Sequence, residues 1–282
     1  MREFLRSVPG LRQAYRRAYP FYGFLAHRSS LATTSLADWL QREEPGSIPV
    51  PPARLRHRVH GMLDRKSFVD AGRAIAGDLR ALLDSQGRTF SSFERVLDFG
   101  CGCGRVLRHL EPGIARTEFH GTDIDPEAIA WCEESVPNVR WSTNTDLPPT
   151  RYEDEAFDLV YSISVFTHLD ERFQLAWLDE LRRITRPGGL LILTTHGSHV
   201  HRLPHVERSF SPVELRELRE RGFVYKVGPT GRLKLDGLPD YYQNAFHTRD
   251  YIDRTWSRYF DVVSHHERAI NRHQDAVILR RE

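Results

Sequence analysis

Cysteine is scarce in this sequence, and long apolar runs are absent. Of the three cysteines in 282 residues, two stand in one glycine-rich turn, so we expect reduced thiols rather than a disulfide framework. Cys101 and Cys103 supply two thiols with no second pair, so their spacing does not favour a zinc site. No run reaches the roughly 18 apolar residues of a membrane span, and the N-terminus lacks the apolar stretch of a secretory signal. We therefore expect a soluble, cytoplasmic protein without a transmembrane segment.

The net charge is also small. The 40 basic and 38 acidic side chains leave a formal charge of +2, which weakly disfavours a dedicated nucleic-acid-binding protein. Arginines interleaved with aromatic residues nevertheless concentrate in residues 1–30. This composition predicts either a helix packed on the main domain or a basic surface that contacts a membrane, a partner or an anionic substrate. The proline-rich stretch 43–52 predicts a linker, so we divide the chain into an N-terminal helical extension, 1–60, and a main domain, 61–282.

Residues 96–106, with the sequence V-L-D-F-G-C-G-C-G-R-V, place three alternating glycines directly after a short apolar run. A strand that breaks into such a turn lets backbone N–H groups approach a ligand closely, because no Cβ stands in the way. The dinucleotide-binding fingerprint needs a third glycine three residues after the second, and this turn lacks it. Asp98, two residues before the first glycine, suits a ligand that carries positive charge. The pattern also predicts a helix over Arg105–Leu110.

Apolar runs and helical periodicities alternate along the rest of the main domain. The predicted strands are Arg95–Phe99, Glu118–Thr122, Val139–Ser142, Ala156–Ile163, Leu190–Thr195, Phe260–Val263 and Ala276–Leu279. Helices are predicted over Ser67–Leu83 and after the capping signals at Asp125, Asp170, Ser211 and Thr248. The last two strands are close enough in sequence to pair antiparallel. These elements predict an α/β fold with a doubly wound, Rossmann-like, seven-stranded sheet that ends in an antiparallel strand pair.

Several polar residues of this pattern fall at strand ends, where open parallel sheets bind their ligands. Four short motifs occur in order over residues 90–200: D-x-G-x-G-x-G, then G-x-D at 121–123, F-D-L-V at 157–160 and P-G-G-L at 187–190. In combination they resemble the motifs of the class I S-adenosylmethionine-dependent methyltransferases. The resemblance implies S-adenosylmethionine as the cofactor and gives the last two motifs structural roles.

The resemblance also implies a role for each residue of the cofactor site. Asp98 would face the ammonium group of the cofactor, and Asp123 would accept hydrogen bonds from both ribose hydroxyls. Ile124 would pack against adenine, and Asn144 would bind the adenine amino edge, with Thr143 and Asp146 as alternatives. The glycines would line the methionine and ribose part. The full predicted cofactor site is Asp98, Gly100, Cys101, Gly102, Gly104, Asp123, Ile124, Asn144 and Ser162.

Two histidines at strand ends are candidates for a general base near the transferred methyl group. His168 follows the fourth predicted strand, and His196 follows the fifth. A neutral imidazole can take the proton of a hydroxyl acceptor at physiological pH, although each of these residues also fits a structural role. Further histidines follow His196, but their spacing is irregular and lacks nearby acids, so no metal site is predicted.

The acceptor pocket is predicted in the N-terminal segment and in insertions near 197–250. Within the loop 237–247 we single out Tyr241, Tyr242 and His247 as substrate-binding candidates, although surface loops share this composition. The segment S-I-S-V at 162–165 stands where nucleic-acid amine methyltransferases carry Asn/Asp-Pro-Pro-aromatic, and no cysteine follows a proline as in cytosine C5 enzymes. These absences favour O- or N-methylation of a small molecule, such as a sugar or a specialised metabolite, over a nucleic acid.

Two other functions are compatible with the pattern. A nicotinamide-dependent oxidoreductase would use a similar fold, but the missing fingerprint glycine and the closing strand pair disfavour it. A non-catalytic protein that binds a cofactor or a partner would retain the same motifs. Cofactor binding without turnover on any acceptor would distinguish that third function.

Overall fold

A computed structural model describes residues 26–41, 47–110, 116–228, 230 and 238–282. Its strands are β1 (Arg95–Phe99), β2 (Glu118–Asp123), β3 (Val139–Thr143), β4 (Phe157–Ser162), β5 (Thr185–Thr195), β6 (Phe223–Lys226), β7 (Asn244–His247), β8 (Asp261–Ile270) and β9 (Gln274–Arg280). Its helices are α1 (26–40), α2 (Ala53–His60), α3 (Arg65–Asp84), α4 (Pro126–Ser135), α5 (Glu171–Ile184), α6 (Ser198–His201), α7 (Pro204–Glu207), α8 (Pro212–Glu220) and α9 (Arg249–Thr255). Among these residues no helix is both long and apolar enough to cross a bilayer.

Seven strands form one sheet in the order β3-β2-β1-β4-β5-β9-β8. Strands β1 to β5 pair in parallel, whereas β9 runs antiparallel to both of its neighbours, β5 and β8. The predicted sheet and its antiparallel C-terminal pair are therefore confirmed. Chain order reverses between β1 and β4, which makes the carboxyl ends of these strands the expected ligand site.

Alternate residues of the central strands face opposite sides of the sheet. Val96, Ile192 and Ile278 lie in one buried cluster with side chains of α3 and α4. Leu97, Leu191 and Leu279 lie in a second cluster with side chains of α5. Helices therefore cover both faces, as the doubly wound prediction requires.

Side-chain caps begin most of the longer helices. Asp125 accepts from the backbone N–H groups at the start of α4, Asp170 caps α5, and Thr248 caps α9. Ser211 and Glu214 form a reciprocal capping box on α8. These helix starts match the sequence predictions because capping depends on residues only a few positions apart.

Three predicted boundaries are wrong, and one of them is the end of β8, which runs to Ile270 rather than to Val263. The helix predicted over Arg105–Leu110 is only a turn followed by the short 3₁₀ helix Leu107–His109, because Gly104 has a positive φ of +68° and keeps the chain out of helical geometry. Strand β5 begins at Thr185 rather than at Leu190. The glycine-containing segment between them bulges, since Phe157 pairs with Thr185 and Leu159 already pairs with Leu190.

A second, two-stranded sheet of β6 and β7 was not predicted. Its register pairs Phe223 with His247 and Lys226 with Asn244. Asn244–His247 was predicted as loop, and the structure places it in β7. The pattern of this short segment did not indicate a strand because its partner lies about twenty residues away in the chain.

Helix α2 packs on the glycine turn, although it belongs to the predicted N-terminal extension. A Cβ added at Gly102 would lie 2.5 Å from Val59 Cγ2, and Arg58 donates to Asp125 at 2.7 Å. Residues 1–25 and 42–46, which carry most of the predicted membrane-contact segment and part of the linker, lie outside the described residues.

Arg56 of α2 is fully buried and connects this helix to α1 through hydrogen bonds. Its guanidinium donates to Asp38 at 2.8 Å, to the Pro51 carbonyl at 2.6 Å and to the Leu63 carbonyl at 2.5 Å. We expect Arg56→Ala to lower the free energy of unfolding by about 3–5 kcal/mol, because the Asp38 carboxylate and two backbone carbonyls lose their hydrogen-bond donor. Chemical denaturation measures this loss. The matched variant Arg54→Ala removes an exposed ion pair and should cost less than about 1 kcal/mol; equal losses would contradict the assignment.

Candidate cofactor and acceptor site

A cavity of about 830 Å³ opens at the carboxyl ends of β1, β2 and β4. The end of α2 and the residues that precede β7 complete its walls. Ten predicted site residues line it: Asp98, Gly100, Cys101, Gly102, Asp123, Ile124, Asn144, His168, Tyr241 and Tyr242. Gly104, Ser162, His196 and His247 do not line it. The fold thus brings most of the predicted cofactor and acceptor residues around one space.

The glycine turn is tied to the end of β2. The N–H groups of Gly100 and Cys101 donate to the Thr122 carbonyl at 2.8 and 3.1 Å. Gly100 has a φ of +78°, and a Cβ there would lie 2.2 Å from Val165 Cγ2. Only glycine fits this position without a shift of Val165, so the turn stays narrow and close to the cavity.

Asp123 is oriented by the backbone. Its Oδ2 accepts from the Gly102 N–H at 2.7 Å, and its Oδ1 accepts from the Asp125 N–H at 2.9 Å. Asp125 itself caps α4, so Asp123 is not needed as the helix cap. Each carboxylate oxygen retains a second lone pair for a ligand hydroxyl. The side chain is therefore held in place and still able to accept.

Asp98 is buried beneath the turn, where it is 2% exposed. It accepts from the Tyr161 hydroxyl at 3.0 Å. Burial raises the pKa of Asp98 to about 8; the Tyr161 hydrogen bond opposes this increase, and the charge of Asp123 adds to it. The charge of Arg105 also opposes this increase, so burial is the main cause that favours the protonated carboxyl group.

Asn144 lines the cavity, but both ends of its amide already have partners in the chain. Its Oδ1 accepts from the Thr122 hydroxyl at 3.0 Å, and its Nδ2 donates to the Thr145 carbonyl at 2.7 Å. Asp146, one of the alternatives for the adenine edge, lines the same wall. Thr143, the other alternative, does not line the cavity, so Asn144 and Asp146 stay the predicted contacts of the adenine edge.

His168 lines the cavity next to Tyr242, one of the substrate-binding candidates. Its Nδ1 lies 2.5 Å from the Gln243 carbonyl, and its ring stacks on Tyr242 with centroids 4.4 Å apart. Since a carbonyl only accepts, Nδ1 carries the hydrogen, and Nε2 of the neutral ring holds the lone pair. Tyr242 is fixed in turn by donating to the Ser164 carbonyl at 2.7 Å. The arrangement orients an imidazole base.

Tyr241 is held by the second sheet and by α5. Its ring stacks on Phe173, with centroids 4.7 Å apart, and its carbonyl accepts from the Tyr225 hydroxyl. Burial raises the pKa of Tyr241 to about 12, so its hydroxyl stays neutral and is able to donate. Tyr241 and Tyr242 therefore form a rigid aromatic wall.

His196 and His247 lie behind this wall. His196 is buried with its ring centroid 5.8 Å from that of His168, and burial lowers its pKa to about 3, with a further decrease from neighbouring histidines. His247 is fully buried in β7, 3.0 Å from the Gln174 Oε1, and burial alone lowers its pKa to about 3. The expectation that His247 contacts substrate is corrected, since β7 turns it into the core. His196 does not line the cavity, and its ring lies next to that of His168.

Sequence reasoning missed several residues that line the cavity. Arg58 and His60 come from the end of α2, Arg105 follows the glycine turn, and His273 and Gln274 come from the β8–β9 connection. Because Arg105 directly follows the last motif glycine, its place at the cavity wall was predictable from the sequence. The others reach the cavity through tertiary packing, which leaves no local signal.

The described part of the chain contains no group of three or more His, Cys, Asp or Glu side chains that is able to hold a metal ion. Cys101, Cys103 and Cys132 are free and buried. Burial raises the pKa of all three thiols, which makes them poor nucleophiles.

The glycine turn and the carboxylates of Asp98 and Asp123, at the carboxyl ends of the parallel strands, fit a nucleoside cofactor that carries positive charge. Residues 96–189 match the family described as a methyltransferase domain. This match covers about a third of the chain and, with the methyltransferase relatives, supports a class I S-adenosylmethionine-dependent methyltransferase whose cofactor is S-adenosylmethionine.

Named relatives agree with this family. The chain is 23% identical over 255 residues to the phthiotriol/phenolphthiotriol dimycocerosates methyltransferase of Mycobacterium leprae, covering 89% of this chain and 82% of that protein. It is 31% identical over 102 residues to a probable phthiotriol/phenolphthiotriol dimycocerosates methyltransferase 2 of Mycobacterium ulcerans, covering 35% of this chain and only 38% of that protein. Its fold is similar to that of the 1,6-didemethyltoxoflavin-N1-methyltransferase of Burkholderia thailandensis, with 14% identity, a TM-score of 0.52 and coverage of 86% and 93% of the two chains.

The buried carboxyl of Asp98 fits a cationic cofactor and makes its binding depend on pH. A bound ammonium group stabilises the ionised carboxylate, so S-adenosylhomocysteine binding at about pH 7 should release close to one proton. Affinity should therefore rise with pH up to about pH 8 and then level off. Calorimetry in buffers of different ionisation enthalpy counts the released protons.

Two variants make this prediction specific to Asp98. Asp98→Asn should release no proton, and its affinity should not change with pH. Tyr161→Phe removes a hydrogen bond that lowers the Asp98 pKa, so its pH dependence should extend to higher pH. Proton release that is absent from the wild type, or is retained in Asp98→Asn, would contradict the assignment.

Proposed function

We propose that the protein transfers the methyl group of S-adenosylmethionine to an oxygen or nitrogen atom of a small molecule, and that a hydroxyl is the favoured acceptor. His168 carries this proposal: it lines the same cavity as the glycine turn and Asp123, and its Nδ1 is engaged by the Gln243 carbonyl. The lone pair on Nε2 is the group that a hydroxyl acceptor needs.

The bound cofactor would supply a methyl group on positively charged sulfur, which is already activated for in-line displacement. The chain would then orient the acceptor, exclude water and move one proton. Tyr241 and Tyr242 give the acceptor a flat apolar surface with hydroxyl groups at its edge. His168 Nε2 would take the hydroxyl proton as the acceptor oxygen bonds to carbon, and Gln243 would keep the ring in the productive tautomer.

Two further observations support a small-molecule acceptor. The cavity volume of about 830 Å³ is within the range of about 300–1,000 Å³ that is typical of small-molecule sites. The name of the Mycobacterium leprae relative specifies phthiotriol and phenolphthiotriol dimycocerosates, which are compounds rather than nucleic acids.

A competition assay tests the proposal. Wild-type protein is incubated with S-adenosylmethionine and a panel of matched alcohols and amines, and formation of S-adenosylhomocysteine is followed by mass spectrometry. We expect turnover on alcohols and methyl ethers as products. Turnover on nucleic acid alone, or cofactor binding without turnover on any member of a broad panel, would contradict the proposal.

A further inference from the structure

Arg105 is a buried cation at the cavity wall. It directly follows the last motif glycine, lines the cavity and is 9% exposed. Burying a guanidinium group in a protein is unfavourable unless anions or hydrogen-bond acceptors surround it. Its partners therefore indicate whether this charge is balanced within the chain.

Arg105 has no salt-bridge partner among the described residues, although Asp98 lies near enough to interact with its charge. Its Nη1 lies 3.3 Å from His60 Nδ1, and its Nε is buried without a hydrogen-bond partner. Because a guanidinium only donates, His60 Nδ1 must accept, so that ring is neutral; burial and the charge of Arg105 both lower the His60 pKa. The ion pairs among the described residues include none to Arg105.

The backbone holds Arg105 firmly in this position. Gly72 of α3 approaches it so closely that an added Cβ would lie 2.2 Å from the Arg105 carbonyl oxygen and 3.1 Å from its Cγ. His60 in turn lies 3.2 Å from the Ser67 hydroxyl, at the start of α3. The side chain is thus confined between α2, α3 and the cavity and cannot move out to solvent without repacking.

We propose that Arg105 binds the carboxylate of the cofactor's amino-acid group, so that Asp98 and Arg105 together recognise a zwitterion. Asp98 takes the ammonium end, and the Nη end of the Arg105 guanidinium, at the cavity wall, takes the carboxylate end. A guanidinium edge suits a carboxylate because two parallel N–H groups meet two oxygens. The inference depends on S-adenosylmethionine as cofactor and not on the acceptor in the proposed function.

The test compares two ligands that differ only in the carboxylate. S-adenosylhomocysteine and its decarboxylated analogue, which keeps the amine and thioether, are titrated calorimetrically into wild type, Arg105→Gln and Arg105→Lys. We expect wild type to prefer S-adenosylhomocysteine by about 10- to 100-fold, the range for hydrogen bonds to a charged group. Arg105→Gln should lower this preference to about 3-fold or less while binding the analogue nearly as well as wild type. Arg105→Lys should retain part of the preference.

The matched control is Arg73→Gln on α3, an exposed arginine outside the cavity, which should keep the wild-type preference. Equal wild-type binding of the two ligands would overturn the inference, as would a full preference in Arg105→Gln. Loss of turnover on anionic acceptors with unchanged ligand preference would also overturn it, because Arg105 would then face the acceptor. These binding measurements need no acceptor, so they are independent of the proposed hydroxyl methylation.

Discussion

Asp123→Ala should weaken S-adenosylhomocysteine binding by about 10²- to 10⁴-fold. The substitution removes the predicted hydrogen bonds from both ribose hydroxyls, and each bond to a charged acceptor contributes about 1.5–3 kcal/mol. It also leaves the Gly102 N–H without the carboxylate that holds the turn at 2.7 Å. Isothermal titration calorimetry at fixed pH measures the change in affinity.

Asp154→Ala is the matched control for Asp123→Ala, because Asp154 is an exposed carboxylate that pairs only at the surface with Arg183. It should leave the affinity within about two-fold of the wild type. A ligand lacking the 2′-hydroxyl should lose affinity in wild type but not in Asp123→Ala. Unchanged affinity of Asp123→Ala for the complete ligand would remove Asp123 from the ribose site.

His168→Ala should lower kcat by about 10²- to 10⁴-fold on a hydroxyl acceptor, the range expected for loss of a general base. Affinity for S-adenosylhomocysteine should stay within about two-fold of wild type, because the ring stacks on Tyr242, a predicted acceptor contact, and not on a predicted cofactor residue. His168→Gln retains a side chain of similar reach without a basic nitrogen, so it should be nearly as slow. Steady-state rates with a saturating acceptor measure the effect.

His205→Ala is the control for His168→Ala, because His205 is exposed on α7 and does not line the cavity. His196→Ala should lower kcat less than His168→Ala, since the His196 ring contacts the His168 ring but does not line the cavity. Normal rates in His168→Ala on an alcohol would show that the base is another group. A loss of cofactor affinity equal to the loss of rate would show that His168 acts structurally.

The sheet was predictable from the sequence because its signals are local. The strands β1 and β4 are short apolar runs with polar residues at their ends, and Asp125 and Asp170 cap helices through N–H groups two or three residues away. The positions of Asp98 and Asp123 at the cavity were also predictable, because each stands at or near the carboxyl end of a parallel strand.

The remaining errors arise where distant segments determine the structure. His247 carries the composition of a binding loop, but pairing of β7 with β6 turns it into the core. Arg105 was assigned to a helix, whereas positive φ angles in the preceding turn and close packing against Gly72 fix its position at the cavity. Burial and the charge of Arg105, 45 residues away in the chain, together lower the pKa of His60.

A crystal structure with bound S-adenosylhomocysteine tests the central claim most directly. We expect the ribose hydroxyls within hydrogen-bond distance of Asp123 and the homocysteine ammonium beside Asp98. The ligand sulfur should face the part of the cavity that is walled by His168 and Tyr242. A ligand bound outside this cavity, or one whose sulfur faces away from His168, would contradict the account.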